Sequence, residues 1–102
     1  MGDLRKLVEK EVAASLDGVP GWSIEDGKLY REFVFPRFVE AFGFMASVAT
    51  LAEKQDHHPE CFNVYNRVQI RLTTLEAGGL TQCDFDLARS IDEINVSVAK
   101  SG

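Results

Sequence analysis

Between Pro36 and Pro59 the sequence keeps a helical apolar period for four turns, and on either side of that stretch the period drops to two. Phe38, Ala41, Phe42, Met45, Val48, Ala49 and Ala52 recur at i, i+3 and i+4, which predicts a long helix. Upstream, Leu29, Arg31, Phe33 and Phe35 alternate with Tyr30, Glu32 and Val34, and downstream Val68, Ile70 and Leu72 share one face. A long helix set between two alternating segments must lay its apolar stripe on a sheet. Pro36 suits the first position of that helix. Phe44 and Leu51 lie off the stripe and imply either a second apolar contact, as with another subunit, or a wide core face.

The flanks complete the order. Leu4, Leu7, Val8, Val12 and Leu16 have helical spacing and stop near Gly18 and Pro20, a first amphipathic helix. Trp22 to Ile24 reads as a short strand, and Glu25-Asp26-Gly27 as the turn of a hairpin with the strand that follows. Phe62 to Tyr65 and Val68 to Thr74 read as two more strands joined at Asn66-Arg67. Gly78-Gly79 breaks the pattern, and Thr81 caps a last helix, with Asp84 placing negative charge in its first turn. Leu87, Ala88, Ile91 and Ile94 are its inner stripe. The order α-β-β-α-β-β-α predicts an α+β fold, a four-stranded antiparallel sheet with three helices packed on one face. At 102 residues the chain fits a single domain spanning 1–102.

Charge and composition narrow the function. A formal net charge of -5, with basic residues scattered, argues against direct nucleic-acid binding. No apolar run is long enough to span a membrane, and the N-terminus Met-Gly-Asp-Leu-Arg-Lys lacks the apolar core of a signal peptide. Two cysteines, Cys61 and Cys83, are too few for a disulfide framework and fit no zinc spacing. These features suggest a reducing, cytoplasmic setting.

Both histidines of the chain fall in Glu53-Lys-Gln-Asp-His-His-Pro59, where the long helix ends. Glu53 and His57 are i, i+4 and would share a helix face if the helix reached that far. A carboxylate beside an imidazole fixes its tautomer and favours its charged form. With Asp56, His58 and the stiffening Pro59, the group suits general acid–base chemistry. Residue types alone favour a plainer reading, with both histidines solvated at a helix C-terminus where cations complement the dipole. Adjacent histidines rarely share one metal ion, and no third ligand stands at recognised spacing. Cys61, in no hydrolase signature, reads as a partly buried strand thiol.

Taken together, the residues resemble the pterin-4a-carbinolamine dehydratases over nearly the whole chain. The likeness runs through Gly21-Trp22, Arg31-Glu32-Phe33-Val34-Phe35 and Ala41-Phe42-Gly43-Phe44-Met45. It continues in Asp56-His57-His58-Pro59-Glu60, Phe62-Asn63-Val64-Tyr65-Asn66, Gly79-Leu80-Thr81 and Asp84. The resemblance implies the same fold, and dimers or tetramers joined through the second helix, with Phe44 and Leu51 on its outer face. It implies a hydro-lyase that removes water from 4a-hydroxytetrahydropterin to give quinonoid dihydropterin. Such an enzyme recycles tetrahydrobiopterin for aromatic amino-acid hydroxylases without metal or organic cofactor. His57 and His58 would be the catalytic pair, with Glu53 and Asp56 supporting them. Pro59, Cys61, Thr73, Thr74 and Leu75 would complete the substrate pocket.

Three positions depart from the family pattern. Leu75 stands where a third histidine or a tryptophan is usual, Cys61 where an aromatic residue is common, and Cys83 where a basic residue is common. A leucine transfers no proton. The alternative implied by the same family is a catalytically weakened member. It would act through a protein partner on the second helix, as a coactivator or assembly factor, and the nucleus would then join the cytoplasm as its location.

Overall fold

A computed structural model describes residues 4–94. Its elements are α1 (Glu9–Leu16), β1 (Ser23–Glu25), β2 (Lys28–Val34), α2 (Phe38–Gln55), β3 (Glu60–Val64), β4 (Arg67–Leu72), a 3₁₀ turn (Leu75–Ala77) and α3 (Gln82–Ile94). The expected order and fold class are present. All strand pairs are antiparallel, in the order β1-β2-β4-β3. The reading of Met1 to Asp3 lies outside the described residues.

The period-two segments define the sheet. Leu29 and Phe33 on β2, with Val68, Ile70 and Leu72 on β4, are all buried beneath the helices. Register Leu29↔Leu72, Arg31↔Ile70 and Phe33↔Val68 stacks these side chains on one face. The opposite face is tied by charge across strands, with Lys28 on Glu60 at 2.7 Å, Arg67 on Glu32 at 3.2 Å, and Arg71 on Glu25. The hairpin turn Asp26-Gly27 has both residues at positive φ, 53° and 78°, the arrangement a two-residue hairpin requires.

Helix α2 packs on this sheet by a different stripe from the one its period suggested. Ala41, Phe44, Val48 and Ala52 are buried, whereas Phe38 and Phe42 are 48% and 56% exposed. Phe44 is a core residue, not an outer-face contact, and Leu51 packs against the core. The helix is apolar nearly all round, so two stripes compete. The Phe33 and Phe35 rings decide between them, lying 4.7 and 5.1 Å from Phe44 between centroids. Losing such a buried ring would cost about 3–5 kcal/mol.

Several boundaries also move, the strands by one or two residues. Pro36 precedes the helix by two positions, because Arg37 is the N-cap. The β3–β4 turn is Tyr65-Asn66, with Tyr65 at φ 50°, since Arg67 already pairs with Val64. Asn66 is held there by its Nδ2 donating to the Phe35 carbonyl at 2.7 Å. The first helix begins at Glu9, not Leu4. Ahead of it residues 4–8 belong to no helix or strand, with Val8 extended, the Leu7 amide donating to the Leu80 carbonyl at 2.8 Å and the Val8 amide to Glu11 at 2.9 Å. α3 meets the expectation: Leu87, Ala88 and Ile91 are buried on its inner side. Its outer end is latched by Asp92, which accepts from Arg31 at 2.8 Å and Trp22 at 2.9 Å.

Candidate active site

Helix α2 ends at Gln55 because the next residue turns left-handed. Asp56 sits at φ 53°, ψ 44°, its amide donating to Glu53 at 3.3 Å, and the His57 amide donates back to Ala52 at 3.0 Å. Such a paired closure usually uses glycine at the left-handed position; aspartate is among the few residues that tolerate it. The reversal takes His57 off the helical face of Glu53. The expected i, i+4 pair therefore does not form, and two other carboxylate pairs replace it.

His57 turns inward. Its Nε2 lies 2.6 Å from Asp84 Oδ1, with the imidazole only 11% exposed and the aspartate fully buried. His58 turns back along the helix end, its Nε2 2.7 Å from Glu53 Oε2, and both side chains are largely exposed. An ionised carboxylate only accepts, so each Nε2 carries a proton. That leaves each Nδ1 with no hydrogen bond among the described residues. A neutral ring then offers Nδ1 as a base, and a charged ring offers Nδ1–H as an acid.

Asp84 is held by a closed hydrogen-bond network. Its Oδ2 accepts from Thr74 Oγ1 at 2.8 Å and from the Thr81 amide at 2.9 Å. Because Thr74 spends its proton on Asp84, the 2.8 Å contact between Thr74 and Thr81 hydroxyls is donated by Thr81. Thr81 Oγ1 in turn accepts from the Cys83 amide at 3.2 Å, capping α3. Thr74, Thr81 and Asp84 are all buried. A fully satisfied buried network of this kind is rigid. It fixes the end of β4, the start of α3 and the His57 ring as one unit.

Both histidines line a cavity of about 480 Å³, together with Asp56 and Thr74. His58 also borders a smaller cleft of about 240 Å³ with Glu53, Pro59 and Cys61. The expected residues thus divide between two adjoining hollows, and Thr73 and Leu75 border neither of these. Thr74 closes the ladder by a bridge to Gly79, and the 3₁₀ turn then bulges outward, leaving Leu75 82% exposed. Cys61 is exposed on edge strand β3 rather than partly buried. Its sulfur nonetheless faces enough apolar surroundings that desolvation pushes the thiol pKa up, which keeps it a poor nucleophile. Asp84 is the residue that sequence reasoning undervalued. The sequence gives it a charge near a helix N-terminus and a place in the family motif but no partner, and the pattern Thr81-x-x-Asp84 is the available hint of a capping box.

Among the described residues no group of three or more His, Cys, Asp or Glu side chains forms a metal site, and no helix is long and apolar enough to cross a membrane.

The chain is similar to known proteins over most of its length. The family model described as pterin 4 alpha carbinolamine dehydratase matches residues 5–94. A Solibacter usitatus protein named "Putative pterin-4-alpha-carbinolamine dehydratase" is 49% identical over 89 residues, 87% of this chain and 94% of its own. A Rhodopseudomonas palustris protein of the same name is 50% identical over 93 residues, 89% of this chain and 92% of its own. The crystal structure of the transcriptional coactivator/pterin dehydratase from Brucella melitensis superposes with a TM-score of 0.84 at 44% identity, covering 88% of this chain and 98% of that one. By fold, by motif and by relatives, the chain belongs to the pterin 4 alpha carbinolamine dehydratase family.

Proposed function

We propose that this protein catalyses the dehydration of a 4a-hydroxytetrahydropterin to quinonoid dihydropterin and water. The observation that carries the reading is the pair of adjacent imidazoles, each held through Nε2 by its own carboxylate, on the wall of one cavity. Hydroxide is a poor leaving group, so the 4a oxygen must be protonated as the C4a–O bond breaks. The N5–H proton must leave as the C4a=N5 bond forms. One imidazolium gives the first proton and one neutral imidazole takes the second. After turnover the two rings have exchanged charge states, and the exposed His58 resets them through solvent. Only protons move, so the reaction needs neither metal nor organic cofactor. Glu53 and Asp84 orient the rings, and Asp56 and Thr74 border the bound pterin. In the cytoplasm this would supply quinonoid dihydropterin to a separate reductase, which regenerates the tetrahydropterin that aromatic amino-acid hydroxylases use.

The reading depends on two histidines, since the family's third position is Leu75. Stopped-flow decay of a 4a-hydroxytetrahydropterin generated in situ tests it. The wild-type chain should accelerate decay, and the His57→Ala, His58→Ala double variant should not. Equal decay with and without the wild-type protein would discard the reading.

A second reading concerns assembly, and the outer face of α2 favours it. Phe38, Val39 and Phe42 are about half exposed or more, with the Phe38 and Phe42 rings 5.6 Å apart. Such a patch suits a second copy of the chain or another protein. Sedimentation of a Phe42→Glu variant should give a smaller species than the wild type, and an unchanged sedimentation coefficient would count against assembly through this face.

A further inference from the structure

The residues ahead of α1 form a strap over the segment that carries Asp84. The Leu7 amide is bonded to the Leu80 carbonyl at 2.8 Å, and Leu7 itself is buried. The Lys6 stem lies across Gly79 so closely that a Cβ there would come within 2.8 Å of it. Arg5 reaches forward to Glu11 at 3.0 Å, which ties the strap to α1. Leu80 adjoins Thr81, whose amide donates to Asp84. The strap is therefore docked on the floor of the site.

Its first described residue, Leu4, enters the histidine cavity. The other residues of that wall are ionisable or polar side chains and one thiol, Cys83. Leu4 is the one aliphatic side chain among them. It is 36% exposed and lies outside the buried core cluster. The aromatic and imidazole positions of the family pattern are filled by Cys61 and Leu75, and Leu75 faces solvent at 82% exposure. A flat heterocycle needs apolar surface against its ring faces as well as polar groups at its edge.

We infer that Leu4 is a specificity-determining residue, supplying the apolar wall against which the ring face of the substrate rests. The inference rests on the dehydratase reading and deepens it. One leucine covering part of a ring removes a few tens of Å² of apolar surface from water, which corresponds to roughly a five- to tenfold change in affinity.

The test is titration of the full chain with a non-reacting 7,8-dihydropterin, followed by fluorescence quenching, for wild type, Leu4→Ala and Leu4→Met. Leu4→Ala should raise Kd about five- to tenfold and raise KM in the dehydration assay more than it lowers kcat. Leu4→Met, close in volume, should restore the wild-type Kd. The melting temperature of Leu4→Ala should stay within about 2 °C of wild type, because Leu4 lies outside the core. Wild-type binding that Leu4→Ala leaves intact would overturn the strap's role and leave the dehydratase reading standing. A wild-type chain that binds no pterin would overturn both.

Discussion

Replacing Asp84 with asparagine separates the two duties of this carboxylate. Three donors converge on it, from His57 at 2.6 Å, Thr74 at 2.8 Å and the Thr81 amide at 2.9 Å. Asparagine has one acceptor oxygen. If that oxygen keeps Thr74 and the Thr81 amide, the amide NH₂ faces His57 Nε2 and obliges that nitrogen to accept. The ring then carries its proton on Nδ1, the inverse of the wild-type tautomer, and a neutral His57 can no longer act as a base there. Loss of a correctly protonated acid–base group lowers turnover by about 10²- to 10⁴-fold. Loss of a charged hydrogen bond costs about 1.5–3 kcal/mol. For a chain of this size that corresponds to a melting temperature about 10 °C lower. Stopped-flow dehydration and ¹⁵N chemical shifts of the His57 ring are the assays. In a His57→Ala background Asp84→Asn should slow the reaction no further, because the two side chains act as one unit. A folded Asp84→Asn variant with kcat/KM within threefold of wild type would refute the argument, as would an equal rate loss in both backgrounds.

Two further outcomes follow from local geometry. Asp56, at φ 53°, pays the steric cost of a left-handed side-chain residue, so Asp56→Gly should hold or raise stability by up to about 1 kcal/mol and Asp56→Val should lower it, as read by urea unfolding. Arg67, and then Gln69, hold the Glu32 carboxyl below the usual carboxylate range. The folded pKa lies below the unfolded one, so this stabilisation is present above the unfolded value near ~4.3 and is lost as pH falls through the folded value. Glu32→Gln should therefore lower the urea midpoint at pH 7 and not at pH 2.5, and an equal difference at both would exclude the charge as the cause.

Period and turn chemistry were enough to read the sheet, because Leu29, Phe33, Val68, Ile70 and Leu72 each have one buried face to choose. Helix α2 was harder for a physical reason. With Phe38, Ala41, Phe42, Phe44, Met45, Val48, Ala49, Leu51 and Ala52 on one helix, more than one stripe satisfies the period. The choice of Phe44 over Phe42 is made by rings on β2 and just after it, which no helical spacing encodes. The expected first helix starts five residues too early, because Leu4 and Leu7 have helical spacing while their contacts are those of a strap. At the site, the histidine pair was visible as a motif. Its partners were not, since the left-handed turn at Asp56 cancels the i, i+4 relation to Glu53, and the contact of His57 with Asp84 spans 27 residues.

Asp84 answers to two selective pressures at once. As acceptor for the Thr81 amide it closes the start of α3, and as acceptor for His57 it would serve the proposed reaction. A descendant that abandoned catalysis would still lose stability by discarding it, whereas His58, exposed at the surface with its partner Glu53, could drift at little structural cost. Among related sequences, retention of the aspartate should therefore mark the fold, and retention of both histidines should mark the activity. A chain that keeps Thr81-x-x-Asp84 and has lost His58 would be a fossil of the enzyme, still held in shape by what was once part of its machinery.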